Sequence, residues 1–256
     1  MFFWVKRKEV ILDCFTYIPS VHEFSRPDFS YKFFPEWFLK LPKIVGEEGK
    51  KGPSLKGCKA FKDIYCKNTI TIPSSFEVRI KVSPNKTFEW AMFGTTEESV
   101  HAVEHPIAQT SGMYDENTYQ HLKIPTAWFF KTSRFINFVW LDHVWNRKEV
   151  LDYCVLPGVV DYKYQPDTLL NVIFKYKPEE YTITIPFAEP VAMLAPMENC
   201  VIKIKHHLED FKYVRAINRP YFNPNINSTA EKYQFYKQII KKANERNLMT
   251  KCPFGK

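Results

Sequence analysis

Glycine is scarce in this chain, with 8 among 256 residues. The glycine-dependent devices are missing with it: there is no P-loop, no G-x-G-x-x-G and no G-x-S-x-G nucleophile elbow. No C-x-x-C pair occurs among the six cysteines Cys14, Cys58, Cys66, Cys154, Cys200 and Cys252. A chain this long with a good core needs no disulfide staples, so reduced thiols in a cytosolic setting are expected. No stretch reaches the ~18 apolar residues of a membrane span, so no membrane partner is expected. The opening Met1-Phe2-Phe3-Trp4-Val5-Lys6-Arg7-Lys8-Glu9 has too short an apolar run, and no small-residue cleavage site, for a signal peptide. There is no internal repeat.

Proline, by contrast, is plentiful at 18 residues, and aromatics make up 16% within a hydrophobic fraction of 45%. That much apolar surface excludes general disorder. Proline fixes φ and removes a backbone donor, which favours extended segments and strand edges over long helices. The formal net charge of +8 is concentrated between Lys40 and Lys67 and again in the last quarter. A solvated basic surface accounts for it; contact with an acidic partner or nucleic acid is the sharper alternative, unsupported by any groove-reading motif.

Three regions follow from the patterning. Residues 1–67 read as an extended N-terminal segment wrapping the core, with a short strand near Val10–Phe15 and one or two helical turns over Pro35–Lys40, Pro35 taking the first helical position. Residues 68–206 read as a β domain. Short alternating runs cover Thr69–Ile72, Phe76–Val82, Thr87–Phe93, Ala127–Lys131, Phe135–Trp140, Leu170–Tyr176, Tyr181–Ile185 and Val201–Lys205. Leu170, Val172, Phe174 and Tyr176 share one face at period two. A short helix is expected over Thr96–Glu104. Residues 207–256 form a C-terminal extension. In it an extended stretch, Asn218–Asn227, precedes a basic amphipathic helix from Ser228 or Thr229 to about Arg246.

Candidate chemistry is thin. His101, Glu104 and His105 fit an H-x-x-E-H zinc pattern, but Pro106 ends the helix and no third-ligand helix follows, so no metal is expected there. His143 and the His206-His207 pair are further candidates for a metal-dependent enzyme. Neighbours on a strand point to opposite faces, which makes the pair a poor chelate.

The informative stretch is Cys154 to Pro166, read as a hairpin over Leu156–Asp161 that holds Gly158-Val159-Val160-Asp161, with Tyr164 just beyond. The alternating strand Leu170–Tyr176 follows, then Tyr181–Pro196 with Pro190-Val191-Ala192-Met193-Leu194. In order and spacing, about 45 residues resemble the C-terminal half of dUTPases and dCTP deaminases. The resemblance implies a β-clip barrel or sandwich. It implies that Asp161 is the carboxylate that activates water and that Tyr164 is the ring on which a pyrimidine stacks, with Mg as cofactor if the chain hydrolyses nucleotides. The sequence departs from that family elsewhere. The Arg-Ser-Ser phosphate run is replaced at best by Lys131-Thr132-Ser133-Arg134, and the Ala-Gly-x-Asp-Leu motif and Gly-rich arm are missing.

Almost the whole chain is also similar to an uncharacterised family of bacteria and phages. The shared elements are Pro35-Glu36-Trp37, Cys58 to Phe61, Pro125 to Thr132, Leu141 to Asn146, Leu156 to Asp161 and Pro190 to Ala192. Together these imply a mainly β protein with a dUTPase-like core. Its expected role is a non-catalytic binding or structural module, of a phage assembly in the virion or the host cytoplasm, with protein partners or self-association. A pyrimidine nucleotide-processing enzyme and a metal-dependent enzyme are the alternatives.

Overall fold

The computed structural model describes residues 8–47, 50–62, 67–96, 101–104, 112, 114–115, 117–146, 152–163, 165, 167 and 169–218. Within these the protein is mainly β. In chain order the strands begin with β1 (Lys8–Thr16), β2 (Asp28–Phe29), β3 (Ile44–Val45), β4 (Gly52–Pro53), β5 (Ile70–Pro73) and β6 (Glu77–Val82). Then come β7 (Phe88–Phe93), β8 (Val103–Glu104), β9 (Tyr119–Pro125), β10 (Phe129–Thr132), β11 (Phe138–Asp142) and β12 (Tyr153–Val155). The last are β13 (Gly158–Val160), β14 (Leu169–Lys175), β15 (Tyr181–Ile185), β16 (Pro190–Pro196) and β17 (Cys200–Leu208). Three short helices join them: α1 (Pro19–Phe24), α2 (Glu36–Lys40) and α3 (Phe211–Asn218).

The strands form four sheets and a small β3–β4 ribbon. Their orders are β13-β11-β16-β5-β2, β12-β14-β9-β8, β15-β6-β7 and β10-β1-β17. Every pairing is antiparallel except β1 with β17, which run parallel over nine residue pairs, from Lys8 opposite Cys200 to Thr16 opposite Leu208. The N-terminal segment therefore supplies β1 to the middle of one sheet and β2 to the edge of another.

Alternation decides which side chains enter the core. On β14, Leu170, Val172 and Phe174 are buried, and Tyr176 just beyond it is buried too, as period two requires. β6 does the same with Val78, Ile80 and Val82, and β1 with Val10, Leu12 and Cys14. These form one continuous cluster with Ile70, Ile72, Phe76, Trp128, Phe130, Phe138 and Leu194.

Prolines mark the places where the chain leaves one sheet for another. Pro73 ends β5, Pro125 ends β9, and Pro190 and Pro196 bound β16, where a missing donor does least harm. At these corners buried hydroxyls complete the hydrogen bonding. Ser75 Oγ accepts the Ala127 N–H at 3.0 Å. Ser25 Oγ donates to the Ser74 carbonyl at 3.0 Å, and the Trp128 indole N–H donates to the Ser25 carbonyl at 2.8 Å. The Ser74 N–H donates to the Glu189 carbonyl at 2.7 Å, and the Ala188 N–H donates to the Ser74 carbonyl at 2.9 Å.

Two expectations are corrected. Val103 and Glu104 are extended, paired with Lys123 and Leu122 of β9, so the expected helix over Thr96–Glu104 does not reach its last turn. The Leu156–Asp161 stretch is not a simple hairpin: β12 pairs with β14 and β13 with β11, so the chain changes sheets at Leu156-Pro157. The helix expected from Ser228 to Arg246, and nearly all of Asn218–Asn227, lie outside the described residues. α3 ends at Asn218; its start is fixed by Asp210, whose Oδ1 accepts the Tyr213 N–H at 2.8 Å.

Ser75 is the corner hydroxyl whose loss strands a buried donor. Ser75→Ala should lower unfolding free energy in urea by about 1–3 kcal/mol. Thr184→Ala, on the exposed face of β15, should stay within about 0.5 kcal/mol of the parent.

Candidate functional site

Asp161 follows β13 directly, and its carboxylate turns back on its own chain. Oδ1 accepts the Lys163 N–H at 2.9 Å, while the Asp161 carbonyl accepts the Gln165 N–H at 3.0 Å. This is the Asx geometry that short acidic side chains adopt in turns. Tyr162 is fully buried against Phe130 and Phe138 and pins the turn to the core. Tyr164, the expected stacking ring, lies outside the described residues.

Two clefts flank this turn. The first, about 260 Å³, opens where the chain changes sheets and is walled by Leu156, Gly158, Val159, Trp140 and Asn171, with Lys123 and Asp167 also lining it. Gly158 lines it with no atom within 4 Å of where a Cβ would stand. Trp140 Nε1 and Asn171 Oδ1 are buried in this wall with no hydrogen-bond partner among the described residues. Asp167 touches solvent, yet protein crowds it enough for desolvation to push its carboxyl pKa up, an effect its open side limits. Asp161 is not one of the lining residues.

The second cleft, about 450 Å³, is lined by Lys8 from β1, Ser133, Arg134 and Phe135 from the β10–β11 connection, Lys163 from the Asp161 turn, and Glu198. The fold thus brings the Lys131–Arg134 run beside the Asp161 turn. Burial lowers the Lys163 pKa, and Lys131 lowers it further, against a smaller opposing pull from Asp161. The Lys163 ammonium sits 5.6 Å from the centre of the Phe135 ring. Cys200 closes the floor; burial raises its thiol pKa, which disfavours thiolate chemistry.

The histidines do not come together. His101 is exposed on irregular backbone and Glu104 is on a strand, so the helical spacing of a zinc pair is lost; His105 lies outside the described residues. His206 Nε2 donates to the Pro27 carbonyl at 2.7 Å, whereas His207 Nε2 bonds Asp13 at 2.9 Å on the other side of β17. Among the described residues no group of three or more His, Cys, Asp or Glu is placed to share a metal ion.

His143 is buried among Phe38, Trp145 and Met193. Desolvation pulls its pKa down to about 4.

Sequence reasoning singled out Asp161 but missed both clefts. A signal for the first was Asn171, a polar residue within an otherwise apolar strand. The second draws on residues more than a hundred positions apart, and its one local trace was the Lys131–Arg134 run.

No family model matches the chain, and no curated protein or solved structure matches it either.

The His143 ring is neutral in the fold, while the unfolded chain takes up a proton near pH 6.5. Its contribution to stability is therefore whole above pH 6.5 and is lost as the pH falls towards 4, by about 3 kcal/mol over that window. Urea titrations of the parent and of His143→Leu at pH 7 and pH 4 should differ in their pH dependence by about that amount. Parallel pH profiles would show that the ring titrates normally.

Proposed function

We propose that this protein is a non-catalytic binding or structural module that works in a protein assembly, on a core resembling the β-clip of dUTPases. The observation that carries the reading is the flank formed by residues 31–45. There Tyr31, Trp37, Leu39, Ile44 and Val45 stand in solvent, Leu39 at 57% and Ile44 at 63% exposure. Concentrations of exposed apolar side chains of this kind mark interaction surfaces.

The flank is held in shape rather than loose. Phe38, on the other side of α2, is buried against Phe34 and Phe61. The Trp37 indole N–H donates to the Trp145 carbonyl at 3.0 Å, and Lys56 Nζ donates to the Leu39 carbonyl. The Ser54 N–H donates to the Lys43 carbonyl at 3.0 Å, which holds the β3–β4 ribbon against the same segment. A preformed face loses little conformational entropy on docking. The partner is protein, and a second copy of this chain is the simplest one.

The catalytic alternative asks Asp161 to serve as a general base. A base must reach the proton it takes, and here the carboxylate is engaged by its own turn. The phage or virion setting rests on the sequence resemblance. No helix among the described residues is long and apolar enough to cross a membrane.

At tens of micromolar the full chain should sediment as more than one 30.3 kDa unit. Leu39→Lys combined with Ile44→Lys should sediment as a monomer with the parent's circular dichroism spectrum, because in the single chain both side chains are exposed. A parent that stays monomeric throughout argues against self-assembly through this flank.

Incubated with Mg and dUTP or dCTP, the protein should release neither pyrophosphate nor ammonia at an enzyme-like rate. Turnover near about 1 s⁻¹, lost in Asp161→Asn, would favour the nucleotide-processing alternative.

A further inference from the structure

Some surface cations of this protein are held by single carboxylates. Lys32 pairs with Asp28, Lys40 with Glu36, Lys81 with Glu180, Lys177 with Asp152 and Lys203 with Glu9, at 2.5–3.1 Å. The second cleft instead gathers cations from three separate elements. Lys8 and Arg134 line it, and neither has an ion-pair partner among the described residues. Lys163 enters from a third element, half-buried, and feels a fourth cation, Lys131. Three carboxylates stand near these four cations: Glu198, which also lines the cleft, Asp161, whose Oδ1 already accepts a backbone N–H, and Asp13, which lies opposite Lys131 on β1 and bonds His207. The cleft thus brings Lys8 and Arg134, which have no ion-pair partner among the described residues, together with Lys163, an arrangement that a bound anion relieves.

The other donors point the same way. Ser133 Oγ accepts the Ile11 N–H at 2.9 Å, which fixes the oxygen and leaves its O–H to donate. The Ser133 N–H is bound to the Ile11 carbonyl at 3.0 Å, so the connection is tied to β1 from both sides. Arg134 offers a planar fork suited to two oxygens of one group, and the lysines add point charges from either side. A single carboxylate would leave most of these donors unused; a phosphate, with three terminal oxygens and up to two charges, would not. Phe135, at 48% exposure, stands beside them as an apolar wall.

We propose that this cleft binds the phosphate group of a small ligand through Lys8, Ser133, Arg134 and Lys163, with the aromatic or apolar remainder of the ligand against Phe135. The cleft, about 450 Å³, is of the size that holds small molecules. The site is independent of the exposed flank at 31–45. It suits a module that carries or senses a phosphorylated compound without turning it over.

The probes are phenyl phosphate and inorganic phosphate, titrated calorimetrically into the full chain at low salt. Phenyl phosphate should bind saturably at one site per chain, more tightly than inorganic phosphate. Arg134→Gln and Lys8→Gln should each weaken it by about tenfold or more, the usual range for a lost charge-assisted bond. Neither side chain has an ion-pair partner among the described residues, so both variants should melt with the parent. Lys175→Gln, an exposed lysine on β14, should bind like the parent. Phe135→Ala should remove the preference for the phenyl ester and keep inorganic phosphate binding. The proposal fails if neither probe saturates, or if Lys175→Gln loses as much affinity as Arg134→Gln. It also fails if a short single-stranded DNA binds more tightly than phenyl phosphate through the same residues, which would make the cleft a nucleic-acid contact.

Discussion

Each time a strand leaves one sheet for the next, its backbone donors and acceptors lose their ladder partners inside the protein, and something other than water must replace them. Everything else in this fold depends on that requirement being met. An unpaired buried N–H or C=O costs about 1–3 kcal/mol, and several corners occur in one chain. Small hydroxyls and backbone bonds between corners supply the replacements. Ser25, Ser74 and Ser75 knit α1, the β5–β6 corner, the β9–β10 corner and the β15–β16 turn into one knot. Ser30 does similar work at β2, accepting hydrogen bonds from Thr69 and Thr71 at 2.8 and 2.9 Å. The knot also holds Ala188 at φ 64°, a left-handed conformation that a residue with a Cβ adopts only under restraint.

The strands were legible where one face is apolar and the other polar. β15 was read residue for residue, and β6, β7 and β14 to within one residue at each end, because Val, Ile and Phe alternate there with Lys, Thr and Glu. β9 was not. Its sequence Tyr119-Gln120-His121-Leu122-Lys123-Ile124-Pro125 mixes polar and apolar positions, and it buries His121 in its interior. α1 was missed because it is only six residues long, too short to show a helical apolar period. The Thr96–Glu104 helix was expected from a good cap and early glutamates, but pairing of Val103 and Glu104 with β9 overrode local preference.

Function was less legible, for a related reason. Asp161 stood out in a short motif, and in the fold it serves that local turn. The cationic cleft is built from Lys8, Ser133, Arg134 and Lys163, which no single stretch of sequence presents together. The exposed flank was equally hidden: Trp37 and Phe38 are neighbours of similar character, yet one is half in solvent and the other buried. Hydrophobicity cannot separate them; only the direction in which α2 presents each ring does.

The parallel pairing of β1 with β17 bears on how the molecule comes into being. Lys8 meets Cys200 and Thr16 meets Leu208, so β1 leaves the ribosome long before the strand that completes its sheet. At typical rates of synthesis, about 5–20 residues per second, that delay lasts on the order of 10–40 s. During it Val10, Leu12 and Cys14 have no finished core to enter, and the edge of β1 can pair with any strand it meets. The nascent chain is therefore most open to aggregation until β17 has emerged.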